Sequence, residues 1–222
     1  MNLFLDLDGP ILNTAERNFR VYRAIVQEMG GQTAILQDAF WDMKRSGNSS
    51  AQILRREAGT AGIHADSFAR RWLSEIEKPA WLAFDCIQPG VLDWIFGMAS
   101  QFQLILVTLR QNGTALRDQL ALLKLERLFK AVLCDTPTTG KGWETKYRLV
   151  TESGIATDGV IMGDTEVDVR AGKLLGLGTI AVSCGIRTRD LLAAEEPELI
   201  VDSLVELHAT TIIGKAPKPC KI

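Results

Sequence analysis

The stretch Met1-Asn2-Leu3-Phe4-Leu5-Asp6-Leu7-Asp8-Gly9-Pro10 decides the fold. An apolar run stops on two aspartates, two positions apart, and Gly-Pro follows. Such a run reads as a short buried strand. Residues i and i+2 of a strand share a side, so Asp6 and Asp8 would enter one site together at the strand's C-terminal end. Two carboxylates held close repel each other, and burying them uncompensated is costly. A cation or a proton-transfer task would compensate them. The alternative is a strand ending in a polar turn, with Asp8-Gly9 as turn residues.

Working outward, further apolar runs alternate with helical patterns. Leu104-Ile105-Leu106-Val107-Thr108 is near-continuous in apolar residues, as strands of a parallel sheet require. Ala131-Val132-Leu133-Cys134, Gly159-Val160-Ile161-Met162-Gly163, Thr179-Ile180-Ala181-Val182 and a short Ile200-Val201 continue the series. Helical spacing joins Val91, Trp94, Ile95 and Met98, then Leu116, Leu120, Leu123 and Leu125. Helices are also expected over 143–153, 166–175 and 204–207. Strands alternating with helices imply right-handed crossovers and a doubly wound, Rossmann-like parallel α/β sheet.

Between the first strand and this series, residues 14–86 show helical periods and no convincing strand. Phe19, Tyr22, Ile25, Val26 and Met29 make one face, with Asn13 or Thr14 as N-cap and Gly30-Gly31 as the stop. The expected organisation is an α/β core of residues 1–13 and 87–214, an all-helical insert over 14–86, and a mobile tail over 215–222.

Composition narrows the class. Hydrophobic residues at 46% and charged residues at 23% are ordinary for a globular protein. A net charge of -2 offers no basic field for nucleic acid or acidic membranes. No apolar run approaches the ~20 residues of a membrane span, and no basic segment precedes the N-terminal strand, which argues against a secretory signal. Cys86, Cys134, Cys184 and Cys220 are scattered without zinc-ligand spacing, and His64 and His208 are the two histidines. A reducing, cytoplasmic setting without disulfides or zinc is expected.

In doubly wound sheets the site lies beyond the C-terminal strand ends, near the switch in strand order. The first strand ends on Asp6 and Asp8, the second on Thr108 followed by Leu109 and Arg110. The fourth ends on Gly163-Asp164-Thr165, with Asp168 beyond. Lys141 and Lys146 precede that fourth strand. These residues resemble the four dispersed motifs of the haloacid dehalogenase superfamily: Asp6-Leu7-Asp8-Gly9, then Thr108, then a lysine, then Gly163-Asp164-Thr165-Glu166-Val167-Asp168. The insert falls where that family's cap domain sits, so the resemblance spans nearly the whole chain. It implies a core of the haloacid dehalogenase type and a phosphatase acting on a small phosphorylated substrate.

The implied chemistry is consistent with these residue types. Asp6 would attack phosphorus and carry an aspartyl-phosphate, and Asp8 would protonate the leaving oxygen and later activate water. Mg2+, a hard cation that prefers oxygen ligands, would be held by Asp6, Asp164 and the backbone carbonyl of Asp8, with Asp168 as a ligand or just behind one. Thr108 would bond a phosphoryl oxygen, and a lysine would offset negative charge, Lys146 ahead of Lys141 because it is better anchored on its helix. Gly9, Thr108, Leu109, Arg110, Lys44 and Arg45 are the expected substrate contacts. Plainer roles stay open. Thr108 can be a strand-end hydroxyl. Asp168 can complete a capping box with Thr165. Lys146 can face water, Arg110 can cap a turn, and Lys44-Arg45 can be a solvated pair. Pro10 stands where the family often has Thr or Val, and it removes an N–H where the cap begins.

Other motifs fail. Asp135-Thr136-Pro137-Thr138-Thr139-Gly140-Lys141-Gly142 lacks the first Gly and the Ser/Thr of a P-loop, and no Gly-x-Ser-x-Gly is present. A sugar-phosphate mutase would use the same aspartates. A non-catalytic phosphate-binding regulator is the reading from a different class, and the large insert argues against a plain receiver domain. The oligomeric state is not legible in the sequence.

Overall fold

The computed structural model describes residues 1–136 and 140–217. Strand β1 (Asn2–Leu5) is buried along its whole length. A tight turn follows, in which the Gly9 N–H donates to Leu12 O and the Ile11 and Leu12 N–H groups to Leu7 O. Pro10 sits between these donors. Gly9 has φ +105°, and a Cβ there would lie 2.1 Å from Asp164 Oδ2, so only glycine fits. The turn leads into β2 (Leu12–Asn13), which pairs antiparallel with β3 (Cys86–Ile87). This ribbon was not expected from the sequence; two-residue strands are too short to show a period.

The ribbon carries the chain into and out of a helical segment. Its helices are α1 (Ala15–Glu28), α2 (Gln37–Arg45), α3 (Ser50–Arg56), α4 (Ala65–Glu75) and the single turn α5 (Pro79–Leu82). They pack on a hydrophobic cluster of their own, in which Phe19, Tyr22, Ile25 and Val26 of α1 meet Phe40, Ile53, Leu54 and Phe68. Burial of these apolar faces, more than propensity, fixes helices this short.

The rest of the chain alternates strand with helix, as expected up to the strand at 178–182; the two short helices beyond it were not expected. In order come α6 (Val91–Ala99), β4 (Gln103–Thr108), α7 (Gly113–Leu122), β5 (Ala131–Cys134), α8 (Gly142–Glu152), β6 (Gly159–Gly163), α9 (Glu166–Leu175), β7 (Gly178–Val182), α10 (Arg189–Ala193), β8 (Leu199–Val201) and α11 (Ala209–Lys215). Among the described residues six strands form one parallel sheet, ordered β5-β4-β1-β6-β7-β8. Leu3 stands opposite Leu104 on one side and Val160 on the other. The period of two sorts β1 between layers. Leu3 and Leu5 pack with Val91, Leu116, Leu120 and Ile212, whereas Phe4 packs with Val150, Ala171 and Leu175. Helices therefore cover both faces, the doubly wound arrangement. No described helix is long and apolar enough to cross a membrane.

Three boundaries differ from expectation. Helix α7 stops at Leu122 because Lys124, at φ 59°, turns the chain; Leu125 is buried beyond the helix. Residues 204–206 form one 3-10 turn rather than a helix. Lys215, placed in the tail by the sequence, ends α11, whose Ile212 is buried against the sheet. Residues 137–139 of the P-loop-like stretch and 218–222 of the expected tail lie outside the described residues.

Candidate active site

From β1 the chain moves outward to β4 and β5, then returns to β6 on the other side of β1. Strand order reverses there, and the crevice of such sheets opens at that point. The C-terminal ends of β1, β4 and β6 are thus neighbours, which brings Asp6, Asp8, Thr108 and Asp164 together. A cavity of about 270 Å³ lies over them. Asp6, Asp8, Thr108, Leu109, Arg110, Lys146 and Asp164 line it from the sheet side, and Thr14, Arg17, Asn18, Ile76 and Glu77 from the helical segment.

Asp6 extends the ladder of β1 by one bond, its N–H donating to Met162 O at 2.9 Å. Its Oδ1 accepts from the Leu7 N–H at 2.9 Å and lies 3.0 Å from Lys146 Nζ. Lys146 is buried on α8 and does not face water. It also donates to Asp168 Oδ1 at 2.6 Å. The other oxygen of Asp168 accepts from the Thr165 N–H at 3.2 Å and hydroxyl at 2.8 Å. Asp168 thus completes the capping box of α9 and orients the lysine at once. Burial favours the neutral carboxyl and lifts Asp6 to about 7, with Lys146 pulling the other way. Lys146 is held charged: Asp168 and Asp6 outweigh its burial.

Asp164 is held by the Ile186 N–H on Oδ2 at 2.5 Å, and its Oδ1 is buried without a hydrogen-bond partner among the described residues. Burial first, then repulsion from Asp6 and Asp168, push it well above the usual carboxylate range. Oxygens of Asp6, Asp164 and Asp168 lie within 4.8 Å of one another. A buried acceptor lacking a donor among the described residues, with the oxygens of Asp6 and Asp168 close by, fits a hard divalent cation.

Asp8 faces different neighbours. Arg110 forks onto it, with Nε 2.8 Å from Oδ2 and Nη2 2.6 Å from Oδ1, and Arg17 Nη2 stands 3.2 Å from Oδ1. Burial acts to raise Asp8, but these two guanidiniums overcome it and hold the carboxyl below the usual range. Arg110 therefore grips a site carboxylate. Thr108, 2% exposed, and Leu109 line the cavity.

The other candidates do not line the cavity. Lys141 is exposed at the start of α8, 3.4 Å from Glu144. Gly9 forms the turn, and its carbonyl accepts from Gln88 Nε2 at 3.0 Å. Lys44 is buried in the helical segment, and Arg45 donates to Ser183 O at 2.8 Å. Neither lines the cavity, and they are not a solvated pair. Arg17, Asn18 and Glu77, which do line it, carried no motif; only their place in the fold marks them.

Comparison with known proteins agrees with this geometry. A family described as haloacid dehalogenase-like hydrolase matches residues 3–182. A phosphoglycolate phosphatase of Pseudomonas syringae pv. tomato is 26% identical over 218 residues, covering 92% of this chain and 77% of the relative. A predicted phosphatase from Clostridium acetobutylicum superposes with a TM-score of 0.72 at 17% identity, over 94% of this chain and 96% of that one. A putative β-phosphoglucomutase from Thermotoga maritima does so at 0.66 and 20%, over 96% of each. With strand order, motif placement and family match in agreement, the chain belongs to the haloacid dehalogenase-like hydrolases.

Proposed function

We propose that the protein is a Mg2+-dependent phosphatase that hydrolyses a small phosphorylated metabolite through an aspartyl-phosphate on Asp6. The observation that carries this is the convergence of Asp6, Asp8, Thr108, Lys146 and Asp164 on one small cavity. Asp6 and Asp164, with the backbone carbonyl of Asp8, would hold the cation, and Asp168 stands behind them. When bound, Mg2+ supplies charge neutralisation for the carboxylates and the phosphoryl oxygens. Asp6 attacks phosphorus as the bond from phosphorus to the ester oxygen breaks, and that oxygen takes its proton through Asp8, whose carboxylate, held ionised by Arg110 and Arg17, first accepts that proton from the substrate's phosphate monoanion. Asp8 then takes a proton from the water that cleaves the acyl phosphate. Thr108 donates to a phosphoryl oxygen, and Lys146 offsets charge beside the nucleophile.

The helical segment 14–86 acts as a cap on the core, excluding bulk water and limiting the substrate to a few heavy atoms. Phosphoglycolate heads the substrate panel, since sequence relatives carry that phosphatase's name. The free thiols Cys86, Cys134 and Cys184 support a reducing, cytoplasmic setting. A phosphomutase would share the aspartates, and product analysis on a sugar phosphate separates the two.

The test is turnover of 4-nitrophenyl phosphate with Mg2+. Asp6→Asn is expected to abolish it, and so is chelation of the metal. Full activity in either condition overturns the scheme.

A further inference from the structure

Behind Asp8 lies a second carboxylate that the proposed reaction does not use. Asp85 has a side chain with 0% exposure, and it does not line the cavity. Its Oδ1 is 3.1 Å from Arg17 Nε, and its Oδ2 is 3.4 Å from Arg110 Nη2. Gln119 Nε2 donates to the same Oδ2 at 2.8 Å and to Leu82 O at 3.2 Å. Asp85 thus stands on the far side of both guanidiniums that hold Asp8: it accepts a hydrogen bond from Arg110, as does Gln119 Oε1 at 3.4 Å, and it pairs with Arg17 by charge, Arg17 Nε and Asp85 Oδ1 having no hydrogen-bond partner among the described residues. Two cations and two carboxylates balance, so neither arginine is left with uncompensated buried charge. An arginine has several rotatable bonds and much rotamer freedom. One contact leaves its planar fork free to turn, and a second on the opposite side fixes it.

The chain positions matter too. Arg17 lies in α1, just after β2, and Asp85 directly precedes β3. They stand on the two connections by which the helical segment joins the sheet. Arg110 and Asp8 belong to the core. The cluster spans the junction.

We propose that Asp85 is a positioning residue for Asp8: it anchors Arg17 and Arg110 from behind, fixes the Asp8 carboxylate in the cavity, and ties that placement to the seating of the helical segment. This rests on the reading of Asp8 as the group that serves the leaving oxygen.

The experiment compares two esters. An aryl phosphate releases 4-nitrophenolate without a proton, whereas an alkyl phosphate needs one delivered to its leaving oxygen. kcat and KM are measured with Mg2+ on both for wild type, Asp85→Asn, Gln119→Met and Asp8→Ala, with circular dichroism as the check on folding. Asp85→Asn is expected to lower kcat on the alkyl ester by about tenfold or more beyond any loss on the aryl ester, a fraction of what an acid–base group supplies. KM should change little. Gln119→Met should give a smaller split in the same direction, and it decides the matter if Asp85→Asn does not fold. Asp8→Ala should give the largest split. Folded variants that lose both esters equally, or neither, overturn the positioning role. A wild type that turns over neither ester fails the phosphatase reading instead, and one that turns over the aryl ester alone fails the assignment of Asp8 as the group that serves the leaving oxygen. An Asp8→Ala that loses both equally fails the assignment of Asp8.

Discussion

Lys44 brings an ammonium into the helical segment, where Nζ meets Ser50 Oγ at 3.3 Å and the Trp72 ring at 5.5 Å. Burial, then repulsion from Arg187, lowers it to about 8 from an ordinary 10.5. The folded state thus prefers the neutral amine. Its contribution to stability is fully present above 10.5 and is lost as pH falls through about 8. Lys44→Met is expected to be more stable than wild type at pH 7 by about 1–3 kcal/mol, at about 1.4 kcal/mol per unit less the lost Ser50 bond. Denaturant titrations at pH 7, 9 and 10.5 should show the gap closing as pH rises. The adjacent basic pair was readable as a feature, but its surroundings were not. The same holds for the two candidate lysines. Lys146 and Lys141 both precede β6, yet only Lys146 falls on the buried side of α8.

At the scale of elements, the strands of the sheet were the most legible, because a strand buried on both faces leaves a run of apolar residues that ends abruptly. The capping box of α9 was also readable from Thr165 and Asp168. The pairing of Asp168 with Lys146 was not, because the lysine lies on another helix. Within the helical segment, Glu57 closes α3 with a carboxylate that accepts from Tyr22 OH at 2.7 Å and from the Ala34 N–H at 2.7 Å. Burial acts to raise Glu57, but these donors and Thr33 outweigh it and lower it. A carboxyl lowered in the fold contributes stability above its unfolded value, near 4.5, and loses it as pH falls through the folded one. Glu57→Gln is expected to cost about 1–2 kcal/mol at pH 7, from weakened charged hydrogen bonds. Thermal unfolding followed between pH 7 and 3.5 should show that difference shrinking at the acid end.

At the scale of the whole molecule, the helical segment is held to the core on both sides of the cavity. Glu77 accepts from the backbone N–H groups of Gln111 and Asn112 at 3.0 and 2.8 Å, at the start of α7. On the other side Arg45 donates to Ser183 O, and its carbonyl accepts from the Thr188 N–H at 3.1 Å. The segment and the sheet keep separate hydrophobic clusters, so these polar contacts carry much of what seats one on the other. Glu77→Ala is expected to raise amide exchange at Gln111 and Asn112 by about tenfold, with little change in the strands of the sheet, when hydrogen exchange is followed by mass spectrometry. Unchanged exchange at those two amides would show that the contact is dispensable.

The sequence by itself determined the parallel sheet, the helical segment after the first strand, and the aspartates at strand ends. Each is a local property: a period of two or of 3.6, or a charge that ends an apolar run, is written in neighbouring residues. The tertiary structure decided which of those residues meet. Strand order set Asp164 beside Asp6, burial of one face of α8 chose Lys146, and the seating of the helical segment brought Arg17 and Asp85 to Asp8. These encounters join residues far apart in the chain through long side chains, and their energy depends on burial that no local pattern records.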